Sequence, residues 1–304
     1  MRVLRQLDDL RATPGPLVLA AGYFDGLHRG HQAVIATAQA AARATGAQAW
    51  ALTLDPHPLK ILRPDRAPRL LTDLAHRLRL LEGLGLDGCL VLPFTRELAD
   101  LEPATFIARL LAAAPGLQRM VVGPNWTFGH RARGTPAVLR ELAAGHGFAV
   151  TVAEPVLSAG EPISSTRIRT AVQAGHLDQA ADWLGRPFTV RGPVVPGRQV
   201  GRTYGFPTAN VDAGGEVRPP PGIYAVTVQA EHWTAGGAAY LGPRAPGVVE
   251  VHVLDRHDDL YGQTLEIAFR HRLRAHQDFA QPVDLVAQIA RDVAAARTWL
   301  ATSA

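Results

Sequence analysis

The chain contains one cysteine, Cys89, one lysine, Lys60, and no long uninterrupted apolar run. A single cysteine excludes an internal disulfide and a cysteine-built zinc site within one chain, and it fits a reducing cytoplasm. In Asp87-Gly88-Cys89-Leu90-Val91-Leu92 it reads as a small core residue of a strand rather than a nucleophile. The apolar runs are broken by Pro, Gly or charge well short of the ~18 residues of a membrane span. Asp8 and Asp9 come too early for a secretory leader, and no A-x-A-type cleavage site follows. No block of Lys/Arg and no basic stripe interleaved with aromatics is present. The net charge of +4 and pI near 9.7 therefore do not point to nucleic acid, and the arginines suit nucleotide phosphates equally well.

What is present is a 304-residue chain, 47% hydrophobic with a mean hydropathy of +0.02, long enough for two cores. Its first part alternates short apolar strands (17–21, 47–54, 88–92, 118–123, 148–153) with amphipathic helices (32–45, 74–84, 103–114, 136–145, 164–174, 177–184). That order predicts a Rossmann-like, doubly wound α/β sheet, whose ligands bind beyond the carboxyl ends of the strands. Near Gly185-Arg186-Pro187 the texture changes. Segments 188–195, 223–229, 247–254 and 264–269 alternate among Gly/Pro turns, the signature of a small antiparallel β-barrel. A last amphipathic helix, 282–300, carries Leu285, Ile289 and Val293 on one face. The predicted domains are 1–185 and 186–304.

The stretch Gly22-Tyr23-Phe24-Asp25-Gly26-Leu27-His28-Arg29-Gly30-His31 lies where the first strand hands over to a helix N-terminus. Free backbone N–H groups and the positive end of the helix dipole favour an anion there. Gly22, Gly26 and Gly30 allow close approach of the backbone. The pair His28/His31 could also be two solvated histidines. A metal pair lacks further ligands at metal spacing, and the G-x-G-x-x-G dinucleotide fingerprint is absent. A second anion cradle is read at Ile163-Ser164-Ser165-Thr166-Arg167-Ile168-Arg169: hydroxyls at a helix start, which also serve as N-caps, with two arginines close by.

Together the two cradles resemble the H-x-G-H turn and I-S-S-T-x-I-R helix start of the nucleotidylyltransferase superfamily. Thr53-Leu54-Asp55-Pro56-His57-Pro58 resembles the F-D-P-H-P segment of bacterial FAD synthetases, as do Val91-Leu92-Pro93-Phe94 and the segment from Val121 to Gly129, VVGPNWTFG. In the C-terminal part, Gly201-Arg202-Thr203-Tyr204-Gly205-Phe206-Pro207-Thr208-Ala209-Asn210 resembles the flavokinase motif G-R-x-x-G-F-P-T-A-N. Order and spacing over nearly the whole chain resemble the bifunctional riboflavin kinase/FMN adenylyltransferase family.

The resemblance implies that Gly22, Phe24, Asp25 and Gly26 shape an ATP-phosphate turn on which His28 and His31 hold phosphates and the departing pyrophosphate. It implies that Ser164, Ser165, Thr166 and Arg169 grip the triphosphate from the other side. Asp55, Pro56, His57, Pro58, Asn125 and Phe128 would serve the flavin side, Asp55 and Asn125 positioning the second substrate or magnesium. In the barrel, Thr208 and Asn210 would bind Mg²⁺ and nucleotide phosphate, with Gly205 letting the phosphates approach. Tyr224 and Arg274 would lie on the flavin, and Glu250 would be the general base on the riboflavin 5′-hydroxyl. By alternation alone Glu250 could equally be a solvated strand carboxylate. The implied partners are ATP, riboflavin and FMN, with no nucleic acid and no membrane, and the implied state is a monomer or weak homo-oligomer.

Two segments depart from the family pattern. Where an N-I-G-x-R-P-T-like loop is usual, residues 238–246 read Ala-Ala-Tyr-Leu-Gly-Pro-Arg-Ala-Pro, with Tyr240 in place of Asn. After Arg274 the chain reads Ala275-His276-Gln277-Asp278, where acidic and lysine residues are common. This leaves open an FMN adenylyltransferase whose barrel is a weak or inactive kinase. A transferase with another acceptor and a non-catalytic nucleotide sensor are further alternatives.

Overall fold

The computed structural model describes residues 1–197, 200–243, 247–256 and 258–303. Its contacts divide the chain into two compact units, Met1–Pro68 with Leu74–Ser164, and Arg69–Asp73 with Ser165–Ala304.

The first unit is built on six parallel strands: β1 (Arg2–Leu4), β2 (Leu17–Ala21), β3 (Gln48–Asp55), β4 (Gly88–Pro93), β5 (Leu117–Val122) and β6 (Ala149–Val152). Five were expected from their apolar runs. The sixth, β1, is a three-residue edge strand between two arginines, too short and too charged to stand out. The sheet order is β1-β4-β3-β2-β5-β6. The chain moves from β2 toward one edge and later restarts at β5 on the other side of β2. This puts the switch point, where open α/β sheets bind ligands, at the carboxyl end of β2.

Alternation along the central strands feeds two cores. Leu17, Leu19 and Ala21 of β2 join Trp50, Leu52, Ile107, Leu110 and Met120 on one face. Val18 and Ala20 join Phe24, Ile35, Leu81, Cys89 and Val91 on the other. Cys89 is fully buried, and burial pushes its thiol up to about 12, so it stays an inert core residue. Trp50 lies against the backbone of Gly88, where any β-carbon would meet the indole at 2.4–2.5 Å. The helices are α1 (Arg29–Thr45), α2 (Pro58–Leu62), α3 (Leu74–Glu82), α4 (Arg96–Ala99), α5 (Pro103–Ala113) and α6 (Pro136–His146). A short hairpin of β7 (Leu157–Ser158) and β8 (Glu161–Pro162) ends the unit.

The second unit begins with α7 (Ser165–Ala174) and α8 (Leu177–Leu184). The change of sequence texture near 185 placed them with the sheet. They group instead with the barrel because α8 buries Leu177, Ala180, Trp183 and Leu184 against its strands. The barrel strands are β9 (Phe188–Val195), β10 (Ala209–Asp212), β11 (Gly222–Gln229), β12 (Thr234–Leu241), β13 (Val248–Val253) and β14 (Thr264–Ala275), with a one-turn helix α9 (Val200–Thr203) before β10. They close in the order β10-β13-β12-β11-β14-β9, all antiparallel. The expected fold class, a parallel α/β sheet followed by an antiparallel barrel and a C-terminal helix, is the one observed. Strands β10 and β12 lay outside the sequence reading. The run Thr-Ala-Gly-Gly-Ala-Ala of β12 has none of the β-branched bulk that marks a strand.

The barrel interior is filled by Phe188, Tyr224, Val226, Val249, Val251, Ile267 and Phe269, all nearly or fully buried. Helix α10 (Pro282–Thr302) lies on the outer face, packing Ala296 against Ala225 and Ala238. Among the described residues no helix is long and apolar enough to cross a membrane.

Candidate active sites

In the first unit the chain leaves β2 through a strained turn. Phe24, Gly26 and Leu27 have φ of 60°, 76° and 43°, and Phe24 and Leu27 are not glycines. Such left-handed residues cost on the order of 1–3 kcal/mol each and collect where geometry serves function. Phe24 is fully buried and meets His31 edge-on at 5.4 Å. Gly22 is required beside it, because a β-carbon there would lie 2.8 Å from the phenyl ring.

The turn ends in His28, which caps α1: its Nδ1 accepts the His31 backbone N–H at 3.3 Å. A neutral His28 therefore carries its proton on Nε2. The imidazoles of His28 and His31 stack with centroids 3.6 Å apart. Gly30 leaves room for this, as a β-carbon would sit 3.2 Å from the His28 ring. Burial holds the His31 pKa well below its usual 6.5, helped by the charges of His28 and Arg77. Its Nδ1 is shut off from solvent with no hydrogen-bond partner among the described residues. Asp25 and Gly26 are buried in the same turn.

The Asp55–Pro58 segment converges on this turn through Tyr23. His57 caps α2, its Nδ1 accepting from the Leu59 N–H at 3.1 Å, and its ring stands edge-on to Tyr23 at 4.5 Å. Pro56 and Pro58 flank it, half-buried. Asn125 is exposed after β5, while Phe128 is buried and stacked on Trp126 at 4.8 Å. Ser164 closes the first unit, and Ser165, Thr166 and Arg169 lie on α7 in the second.

One residue of this site escaped the sequence reading. Arg77 of α3 is fully buried, donating to the Tyr23 carbonyl at 2.7 Å and the Leu54 carbonyl at 3.2 Å. Its guanidinium lies 3.7 Å from the Asp55 carboxylate and 4.4 Å from the centre of the Tyr23 ring. It thereby ties the ends of β2 and β3 together and sets a positive charge beneath the turn. Its signal was available: an arginine on the apolar stripe of a helix whose leucines recur at 74, 78, 81 and 84. A buried charge in such a place needs specific partners.

The second unit carries its polar residues on the outside of the barrel. Asn210 of β10 is the register partner of Glu250 of β13, which is in turn the partner of Tyr240 of β12. Alternation turns Val249 and Val251 inward and this row outward. Glu250, Thr208, Tyr240 and Arg274 line a cavity of about 420 Å³, walled on the far side by Leu285, Ile289 and Val293 of α10. Arg274 is fixed by a bidentate pair to Asp292 of α10, at 2.9 and 2.7 Å. His252 donates from Nδ1 to the Pro207 carbonyl at 2.8 Å and so holds the segment before Thr208. Gly205 turns that segment with φ of 82°. Glycines at 197 and 201 leave open the space beside the Asn210 amide and the Thr208 hydroxyl, which a β-carbon at either position would enter.

Tyr224 is not brought to this cavity. It is fully buried in the barrel, donates its hydroxyl to the Pro220 carbonyl at 2.5 Å, and meets Phe269 edge-on. Burial pushes its phenol up to about 12. One residue of strand alternation separates it from Ile223, which lines the cavity in its place. Residues 244–246 of the departing loop lie outside the described residues.

Comparison with known proteins gives two family matches on one chain: FAD synthetase over residues 10–167 and riboflavin kinase over residues 184–300. The bifunctional riboflavin kinase/FMN adenylyltransferase of Escherichia coli strain K12 is 36% identical over 304 residues, covering 98% of this chain and 97% of the relative. That of Pseudomonas fluorescens is 36% identical, covering 100% and 99%. That of Bacillus subtilis is 34% identical, covering 90% of each. Among solved structures, one described as a macrolide-efflux protein from Streptococcus pneumoniae superposes with a TM-score of 0.82 at 30% identity, covering 95% of this chain and 96% of its own.

Proposed function

We propose how two activities are divided among the residues of this chain, which belongs to the bifunctional riboflavin kinase/FMN adenylyltransferase family and carries both the FAD synthetase and the riboflavin kinase domains. The weak-kinase alternative is not favoured, since the riboflavin kinase match spans 184–300 and the full-length relatives are bifunctional. We assign adenylyl transfer to 1–185 and kinase chemistry to 186–304. The observation that supports this division is that the parallel sheet and the barrel each carry a built site of their own: the stacked His28/His31 pair near Arg77, and the Asn210–Glu250 row facing a cavity.

In adenylyl transfer an FMN phosphate oxygen attacks the α-phosphorus of ATP, and the bond to the β-phosphate oxygen breaks in line. No side-chain nucleophile is required, so catalysis is alignment and charge stabilisation. His28 donates from Nε2 to the phosphate oxygens that gain charge as pyrophosphate leaves. His31, held neutral, supports it by stacking and by its backbone N–H. The turn at Gly22, Phe24, Asp25 and Gly26 brings its backbone to the phosphates without rearrangement. Asp55, Pro56, His57, Pro58, Asn125 and Phe128 serve the flavin side, and Ser164, Ser165, Thr166 and Arg169 supply further anion contacts.

In the kinase reaction Glu250 takes the proton of the riboflavin 5′-hydroxyl as its oxygen attacks the γ-phosphorus and ADP leaves. Arg274, held by Asp292, shapes the flavin side. Among the described residues no three His, Cys, Asp or Glu side chains gather as a metal cage. The Thr208 hydroxyl and the Asn210 amide oxygen, with open space beside both, fit a Mg²⁺ ion shared with phosphate oxygens. Mg²⁺ would supply neutralisation of phosphate charge. The single unpaired cysteine suits a reducing cytoplasm, where we place the enzyme.

A time course with riboflavin, ATP and Mg²⁺ that resolves FMN from FAD tests the assignment. FMN should rise first and FAD follow. Accumulation of neither, with FAD still formed from supplied FMN, would remove the kinase half.

A further inference from the structure

We propose that Tyr240 and His276 form one acceptor-positioning pair in the kinase cavity. The two residues are 36 positions apart in sequence. The fold joins them, with the Tyr240 hydroxyl 3.1 Å from His276 Nδ1 and the rings 5.8 Å apart.

Its position is that of a substrate contact. Tyr240 is the register partner of Glu250, so both side chains leave the sheet on the same face, one strand apart. Tyr240, His276 and Glu250 all line the 420 Å³ cavity. Space for the phenol ring is provided by Gly242, where a β-carbon would lie 2.9 Å from it.

The pair is also oriented. His276 faces Asp278 through Nε2 at 3.5 Å, and its backbone N–H reaches the Pro221 carbonyl at 3.4 Å. A carboxylate at Nε2 favours the tautomer protonated there, so Nδ1 accepts and the Tyr240 hydroxyl donates. The phenol oxygen then presents acceptor character toward the cavity beside Glu250. This suits an acceptor substrate with several neighbouring hydroxyls, a polyol chain: Tyr240 accepts from one hydroxyl while Glu250 takes the proton from the terminal one. The pair acts through position, while Glu250 does the proton transfer. This rests on the assignment of Glu250 above.

The experiment is steady-state kinetics of FMN formation by the full chain bearing Tyr240→Phe, His276→Ala, both together, or Glu250→Gln. FAD formation from supplied FMN and thermal melting are measured on the same preparations. Each single change in the pair should raise KM for riboflavin about three- to tenfold, the worth of a neutral hydrogen bond, with kcat held within about twofold. The double variant should be no worse than the worse single, since the two act as a unit. Unchanged KM in both singles, additive losses, or a lower melting temperature without a KM change would overturn the proposal and leave a structural strut. Glu250→Gln reports separately: if it retains kcat, the base assignment fails while the KM result on the pair still stands on its own.

Discussion

The two units build their proposed sites by opposite means. In the first unit the proposed site sits on a loop at strand ends, held by left-handed backbone at Phe24, Gly26 and Leu27 and by a buried guanidinium. In the second it sits on the strands themselves, where the register of β10, β13 and β12 lines up Asn210, Glu250 and Tyr240. A site of the first kind depends on local strain and buried charge. A site of the second depends on pairing, because a one-residue slip would send the whole row into the barrel. The two activities should therefore be separable by single substitutions.

The sharpest way to break that separation is to remove one group from each site. Glu250→Gln is expected to lower FMN formation by about 10²–10⁴-fold and to leave FAD formation from FMN intact. His28→Ala is expected to do the reverse, with a loss of about 10²–10³-fold in FAD formation. Loss of both activities in either variant, read by product chromatography, would show that the sites are not independent.

Arg77→Met tests whether the first site rests on buried charge. It strands two carbonyls that the guanidinium now serves, at a cost of about 1–3 kcal/mol in stability. Denaturant unfolding should detect this, together with a fall in FAD formation and little change in FMN formation. Gly30→Ala is subtler, since its β-carbon presses on the His28 ring edge by a few tenths of an ångström. FAD kcat should fall about two- to fivefold with KM for ATP nearly unchanged.

The smallest effect concerns His31. Its folded pKa lies well below 6.5 because it is buried. Below about pH 6.5 the unfolded chain binds a proton that the folded chain refuses, so stability falls as pH drops through that value and is retained above it. His31→Gln should flatten that limb of the stability–pH curve, measured by chemical denaturation from pH 5 to 7.5.

Much of this architecture was legible in the sequence, for identifiable reasons. Strands β2 to β6 and the long helices announced themselves by apolar period. The turn at 22–31 was marked by its histidines and glycines at a strand–helix handover. What escaped lacked a local signature. Strand β12 is a strand only because its partners make it one. Arg77 looks like any helical arginine until its leucine stripe is seen to face inward. Tyr224 turns into the barrel and Ile223 toward the cavity, since matching a motif does not say which face of the strand is wet. The Tyr240–His276 contact could not be read at all, because only the pairing of both strands with β11 brings β12 to the end of β14.

Helix α10 has a consequence in time as well as space. It supplies the far wall of the cavity and the carboxylate that fixes Arg274, yet it leaves the ribosome after every barrel strand. The β2 turn, its capped helix and Arg77 all emerge before the first barrel strand. During synthesis the adenylyl half can therefore fold, domain by domain, while the kinase pocket still lacks a side. Of the two steps that lead from riboflavin to FAD, the chain acquires the means for the second before the means for the first.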